Sequence, residues 1–235
     1  MQLLPGQSVL DVATGTGLVA ISAAQSVGPT GKVLGTDFAE GMLTQAQAKA
    51  KQLSLENIQF QQVDADEHIL GSARYDVVFC SCEIAYFTHF PVILERWYQS
   101  LKRGGTVTFS CLKETSPNVS AMFRKVVQRY GLKINNPNEL AGNRKKCMRL
   151  LQSAGFGHVT VETEQFGFYL TDAEAVWHGN ANSAFGLRGV AWSEATLQCC
   201  KQTYFDEIAQ ASTEKGYFND ITMLFVTARK LNEAL

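Results

Sequence analysis

Along the first two thirds of the chain, short apolar runs alternate with longer stretches of helical periodicity. Ser8 to Val12 is an apolar run closed by a glycine-bearing turn. Leu18 to Ser26 follows with alanines and aliphatics on most faces, the pattern of a buried helix. Lys32 to Thr36 predicts a second strand, about Ala39 to Leu53 a second helix, and Ile58 to Val63 a third strand with alternation at Ile58 and Phe60. Tyr75 to Cys80 predicts a fourth strand, and its apolar run Val77 to Cys80 suggests burial on both faces. Pro91 opens a helix that runs to Leu101, where Lys102 and Arg103 suit the negative end of the helix dipole. Gly104-Gly105 is expected to turn the chain into a fifth strand, Thr106 to Cys111. Strands joined by helical crossovers imply a parallel sheet with helices on both faces.

The remainder departs from that rhythm. Asn143 to Ala154 reads as a basic amphipathic helix stopped by Gly155. His158 to about Phe168 reads as one long alternating strand, and Thr222 to Arg229 as another. Between these two lies a stretch rich in aromatics: Trp177, Phe185, Trp192, Tyr204, Phe205, Tyr217 and Phe218. A hairpin would need only ~2–5 residues there. Residues 171–219 are therefore expected to form a lid inserted into a main domain of residues 1–170 plus 220–235.

Composition narrows the class. The 235 residues fit one large domain, or one domain carrying a lid. With 21 Lys+Arg against 22 Asp+Glu, the net charge of −1 gives no electrostatic footprint for nucleic acid or an anionic membrane. Arg144, Lys145, Lys146 and Arg149 share one helix and read as a solvated face. Charged residues at 18% and apolar ones at 46% favour a well-filled core over disorder. No apolar stretch approaches the roughly 20 residues of a spanning helix. Met1 to Gly6 lacks the basic start and long apolar run of a secretion signal. Six cysteines without a Cys-x-x-Cys pair suggest reduced thiols and no metal site. The expectation is a cytoplasmic monomer or homodimer with no nucleic-acid or membrane partner.

The chemistry concentrates in Asp11-Val12-Ala13-Thr14-Gly15-Thr16-Gly17-Leu18-Val19-Ala20, between a strand and a helix. Gly15 and Gly17 allow a tight turn and close approach to a ligand, and Ala20 fits the small third position. Alone, this Gly-x-Gly-x-x-Ala is shared by many nucleotide binders. The acids discriminate among them. Asp11 ends the first strand, Asp37 the second, and Asp64 the third, with Asp66 close behind. All reach the carboxyl edge of the sheet, where open α/β folds bind ligands. Asp11 would repel a pyrophosphate and attract a ligand bearing an ammonium and a sulfonium. S-adenosyl-L-methionine is such a ligand.

At these residues the chain resembles the class I S-adenosylmethionine-dependent methyltransferases, in the small-molecule group that includes quinone-biosynthesis enzymes. Carrying the resemblance are Val9 to Gly17, Gly35 to Leu43, Val63 to Asp66, Tyr75 to Ser81, Leu101 to Gly105 and Leu224 to Lys230. It implies a Rossmann-like α/β fold: a seven-stranded, mostly parallel, doubly wound sheet with an antiparallel last strand, here with a helical lid insertion. It implies that Ala13, Thr14, Gly15, Thr16 and Gly17 surround the methionine part of the cofactor. Asp37 would hold the ribose hydroxyls, Phe38 and Met42 line the nucleoside, Ala65 and Asp66 meet the adenine with Asp64 as a neighbour, and Ser81 touch the methionine end. Read from the residues alone, Asp37 and Asp66 serve equally as caps of turns or helices, and Phe38 and Met42 as core.

For the transfer itself, the resemblance places Cys82 to His89 beside the methyl group. Many relatives carry histidines near the end of this segment, where this chain has Ala85 and Tyr86. Glu83, Tyr86 and His89 remain as catalytic or orienting candidates, His89 being also a helix-start residue. The aromatic insertion suggests a small, apolar or aromatic methyl acceptor, or simply supplies the lid's own core. Relatives usually carry helices before the first strand that cap the cofactor. Here that strand begins by residue 8, so either the chain is trimmed or the insertion and residues 113–142 provide the cover. An NAD(P)-dependent oxidoreductase would keep Gly15, Gly17 and Asp37 but leave Asp11 and Asp66 unexplained. A non-catalytic nucleoside-binding or scaffold protein is the reading from a different class.

Overall fold

The computed structural model describes residues 2–68 and 70–231. In chain order its elements are β1 (Ser8–Val12), α1 (Leu18–Val27), β2 (Lys32–Asp37), α2 (Glu40–Gln52), β3 (Ile58–Gln62) and β4 (Tyr75–Ser81). A short 3-10 turn, Ile84–Tyr86, leads to α3 (Phe90–Ser100), β5 (Leu101–Leu112), α4 (Val119–Arg129), α5 (Arg144–Ser153) and β6 (Phe156–Glu164). Then follow β7 (Gly167–Leu170), α6 (Ala173–Ala181), α7 (Glu194–Ala211), β8 (Tyr217–Asp220) and β9 (Met223–Lys230). Contacts divide the chain into two compact units.

The first unit comprises the chain up to Cys111, Asn143–Glu162 and the stretch from Leu224 onward. Its sheet has the order β3-β2-β1-β4-β5-β9-β6, mostly parallel with one antiparallel strand, as expected. Val9, Val33 and Val77 lie in register on one face, against Ala20, Ala23, Ala24 and Val27 of α1. Three small alanines bring the α1 backbone close to the strands, which keeps the turn between β1 and α1 short. Phe90 of α3 is fully buried among Phe87, Trp97 and Phe109, with ring centroids 6.0, 5.7 and 5.5 Å away. The parallel register sets Val12 beside both Thr36 and Cys80, so the ends of β1, β2 and β4 emerge side by side.

Two boundaries differ from the expectation. Gly104-Gly105 lies inside β5, where the pairing jumps from Tyr75↔Leu101 to Val77↔Thr106, so the glycines form a bulge within the strand. The long strand expected from His158 to Phe168 is two strands in two sheets: β6 ends at Glu164, and β7 pairs antiparallel with β8. The polar run Glu162 to Gln165 interrupts the alternation, and the apolar positions change phase from Val159 and Val161 to Phe166 and Phe168, where the chain switches sheets. Side-chain and backbone bonds fix the switch: Gln165 Nε2 donates to Asp220 Oδ2 at 2.8 Å, and the Ile221 amide to the Phe166 carbonyl.

The second unit comprises Leu112–Gly142 and Thr163–Met223. Residues 171–219 thus group with 112–142, because Phe123, Val126 and Val127 of α4 share a core with Trp177, Cys200, Tyr204, Ile208 and Tyr217. Most of the aromatics of the insertion fill this core or pack against it. Cys200 faces it while Cys199 is exposed, so the adjacent thiols point apart. Among the described residues no helix is long and apolar enough to cross a membrane.

Phe90→Ala should remove the centre of the aromatic cluster and cost about 3–5 kcal/mol. In a thermal melt the expected loss is roughly 10 °C; a loss below about 3 °C would show that the neighbouring rings collapse into the space.

Candidate active site

The turn after β1 is held by side chains because no strand ladder reaches it. Asp11 is 1% exposed and accepts from the Thr14 hydroxyl at 2.6 Å and from the Ala20 amide of α1. The Thr14 amide donates to the Thr36 carbonyl at 2.8 Å. The Gly15 amide donates to Asp37 Oδ2 at 2.8 Å, and the Ala39 amide to Asp37 Oδ1 at 2.9 Å. These bonds hold Ala13 at φ +54, a left-handed conformation that costs a non-glycine residue on the order of 1 kcal/mol or more.

The two glycines do different work. A Cβ on Gly17 would come within 2.9 Å of Ala46 Cβ and 3.3 Å of the Phe60 ring, so this position is set by packing. A Cβ on Gly15 would meet nothing within 4 Å, so its surface opens onto space. From α2, Lys49 Nζ donates to the Thr16 hydroxyl at 2.8 Å and to its carbonyl at 3.2 Å, clamping the far side of the turn.

Electrostatics give the site its sign. Burial pushes the Asp11 carboxyl up to about 7, against the lowering effect of its Thr14 and Ala20 bonds, and the charge of Asp37 adds to the rise. Glu83, half-buried after β4, is also raised, first by burial and then by Asp37. The Asp37 charge thus acts on both Asp11 and Glu83 at the carboxyl edge. Beside Asp37, Phe38 is 74% exposed and Met42 43% exposed, so they form an uncovered apolar shelf and not core.

Along the same edge, the Asp66 amide donates to Asp64 Oδ1 at 2.8 Å, which makes exposed Asp64 the cap of this turn. Both Asp66 carboxylate oxygens accept from the Thr88 amide at 3.2 Å. Ala65 and Asp66 also present their carbonyls to Arg96 of α3. Ser81 lies exposed at the end of β4, its hydroxyl 3.3 Å from that of Ser110 on β5. Next to it, Cys82 sits at φ +65, its amide donating to the Ser110 carbonyl and hydroxyl, both at 3.2 Å. Tyr86 is 56% exposed, and its hydroxyl is raised by partial burial and then by the Glu83 charge. His89 takes the position before α3 without a side-chain bond to the helix end.

Lys49, Thr88, Arg96 and Ser110 carry no signal in the sequence. Each acts through a backbone group or across a long sequence separation, which leaves no local pattern to read. A concavity of about 850 Å³ lies at the opposite, amino-terminal edge, lined by Ser8, Lys32, Asn57 and Tyr75 among others; it contains none of the residues above. Among the described residues no cluster of three or more His, Cys, Asp or Glu has the arrangement to hold a metal ion.

The arrangement suits S-adenosylmethionine. Open space lies over Gly15, each Asp37 oxygen has accepted one amide and retains a lone pair, and an apolar shelf flanks it. The fold is that of Rossmann-like methyltransferase domains. The chain belongs to the methyltransferase-domain family, whose model matches residues 3–155. It is 35% identical over 116 residues to the demethylmenaquinone methyltransferase of Lactococcus lactis, a match spanning 49% of this chain and 45% of that protein. With the demethylmenaquinone methyltransferase of Listeria welshimeri it shares 28% over 177 residues, spanning 68% and 74%. The match thus covers less than half the length of the first of these curated relatives. In fold it is similar to a SAM-dependent methyltransferase from Aquifex aeolicus, with TM-score 0.57, 16% identity, and 97% and 85% of the two chains covered. It is also similar to Haemonchus contortus phosphoethanolamine N-methyltransferase 2 solved with S-adenosylmethionine, with TM-score 0.60, 19% identity, and 97% and 50% covered.

Because the folded Asp11 carboxyl lies near 7 and the ordinary value is 3.8, the folded state holds the proton more tightly, and stability is lost as pH rises from about 4 to 7. That interval corresponds to on the order of 4 kcal/mol. In Asp11→Asn, thermal unfolding of the ligand-free protein should lose most of that slope; an unchanged slope would show that another group titrates. Gly17→Ala should destabilise by about 1–3 kcal/mol through overpacking, whereas Gly15→Ala should cost less stability and lower S-adenosylmethionine affinity more. Calorimetry and melting curves on both variants check the contrast.

Proposed function

We propose that the chain transfers the methyl group of S-adenosylmethionine to a small aromatic acceptor bearing an acidic hydroxyl, with Glu83 as the general base. The observation that carries this reading is Glu83 itself: a half-buried carboxyl after β4, raised by burial and by Asp37, on the edge where Asp11 and Asp37 converge. A carboxylate with raised proton affinity is a better base than an exposed one at neutral pH. The relatives named demethylmenaquinone methyltransferases support a quinol-like ring as the acceptor.

S-adenosylmethionine held at this edge would supply an electrophilic methyl group on a sulfonium, with a neutral thioether as leaving group. The chain's own residues do the rest. Asp37 accepts the ribose hydroxyls, and Phe38 and Met42 cover the apolar side of the nucleoside. Asp11 ionises in the field of the bound cation, offsetting part of the sulfonium's lost hydration. Glu83 takes the proton of the acceptor hydroxyl, which raises electron density on the nucleophilic oxygen or ring carbon. In-line alignment supplies much of the acceleration, up to ~7–11 kcal/mol in well-oriented intramolecular reactions.

Glu83→Gln should lower kcat about 100-fold or more on a demethylated naphthoquinol, with the cofactor KM changed by less than about threefold. The rise of kcat with pH attributable to Glu83 should vanish in the variant. Wild-type kcat in Glu83→Gln would remove the base from the mechanism. Failure of phenols and quinols to accept methyl, with amines accepted instead, would overturn the acceptor class.

A further inference from the structure

We propose that Arg96 is a positioning residue for the adenine-side turn and thereby sets the preference of the site for an exocyclic amine on the base. The inference rests on the reading that Asp66 meets the adenine. The turn from Asp64 to Glu67 belongs to no strand or helix, so its peptide planes have no ladder to fix them. Arg96 Nη1 donates to the Ala65 carbonyl at 3.1 Å and to the Asp66 carbonyl at 2.5 Å. One guanidinium nitrogen spanning two successive carbonyls holds both peptide groups, and with them the direction in which Asp66 leaves the backbone. The helix behind it is rigid: Ile93, Leu94 and Trp97 of α3 are 1%, 0% and 3% exposed.

The second support comes from the segment after β4. The Thr88 amide donates to both oxygens of the Asp66 carboxylate, which therefore keeps one lone pair on each oxygen for a ligand. A ligand amine donates to such a carboxylate, whereas a carbonyl in the same place repels it. Discrimination depends on the carboxylate staying where Arg96 and Thr88 hold it. A lysine keeps the charge but lacks the planar group that serves two carbonyls with fixed geometry.

The test uses the full chain and two probes: S-adenosylhomocysteine, and S-inosylhomocysteine, in which a carbonyl replaces the amine. In calorimetry the unmodified protein should prefer the adenosyl compound by about tenfold or more. Arg96→Ala should weaken the adenosyl compound by about tenfold and the inosyl compound by less than about threefold, so that the preference collapses, with Arg96→Lys between. In Arg96→Ala/Asp66→Ala the loss should not exceed that of either single variant, since both act through one contact. An equal weakening of both probes in Arg96→Ala and Arg96→Lys would mean a purely structural role and overturn the proposal. So would an unchanged preference. If the unmodified protein shows no preference, the reading of Asp66 fails, and the proposal with it.

Discussion

The cross-strand bonds from the β1–α1 turn to the end of β2 are the constraint on which the site depends. Thr14 and Gly15 would otherwise leave two amides with no partner in the protein at the edge of a sheet, at a cost comparable to lost hydrogen bonds. The Thr36 carbonyl and the Asp37 carboxylate take those amides, while Asp11 takes the Thr14 hydroxyl. The first two contacts require β1 and β2 to be parallel and in register, with Val12 beside Thr36. A slip of one residue would turn Asp37 to the other face and free the turn.

Packing serves the same end. The α1 helix approaches the sheet on alanines, and Gly17 admits the turn between Ala46 and Phe60. Bulk at either place would push the helix outward and lengthen the turn. Gly15 is different, since the space beside it is empty of protein. One stretch of three residues therefore holds a position filled by the core and a position left for a ligand.

Much of this was legible in the chain. Short strands separated by helical crossovers announce a parallel sheet, and the spacing of Asp11, Asp37 and Asp66 announces an acidic carboxyl edge, because strand ends are marked by where apolar runs stop. What escaped was whatever depends on partners distant in sequence. The switch of sheets after Glu164 leaves only a change of apolar phase, from Val159 and Val161 to Phe166 and Phe168, and the new pairing depends on Asp220 and Ile221, more than fifty residues on. Gly104-Gly105 reads as a turn but forms a bulge, since Leu101 still pairs with Tyr75. The grouping of residues 112–142 with the aromatic stretch follows from a shared core around Phe123 and Tyr204, which no local pattern encodes. In the site, Arg96 and Lys49 act on carbonyls, and every residue has a carbonyl, so their sequence surroundings say nothing of the role.

The site is also a place where the fold accepts local cost. Ala13 and Cys82 sit in left-handed backbone, and Asp11 is buried close to its point of ionisation with Asp37 and Glu83 nearby. Each feature lowers the stability of the ligand-free protein. Stability alone would replace Asp11 with an amide or an apolar residue, and would place glycine at both strained positions. A ligand with a positive centre reverses the largest of these costs, because ionised Asp11 then has an opposite charge to face. The polarity of the edge is therefore itself an argument about the ligand: three carboxyl groups brought together by β1, β2 and the segment after β4 favour a cation, and disfavour the pyrophosphate that the glycine pattern by itself would equally admit.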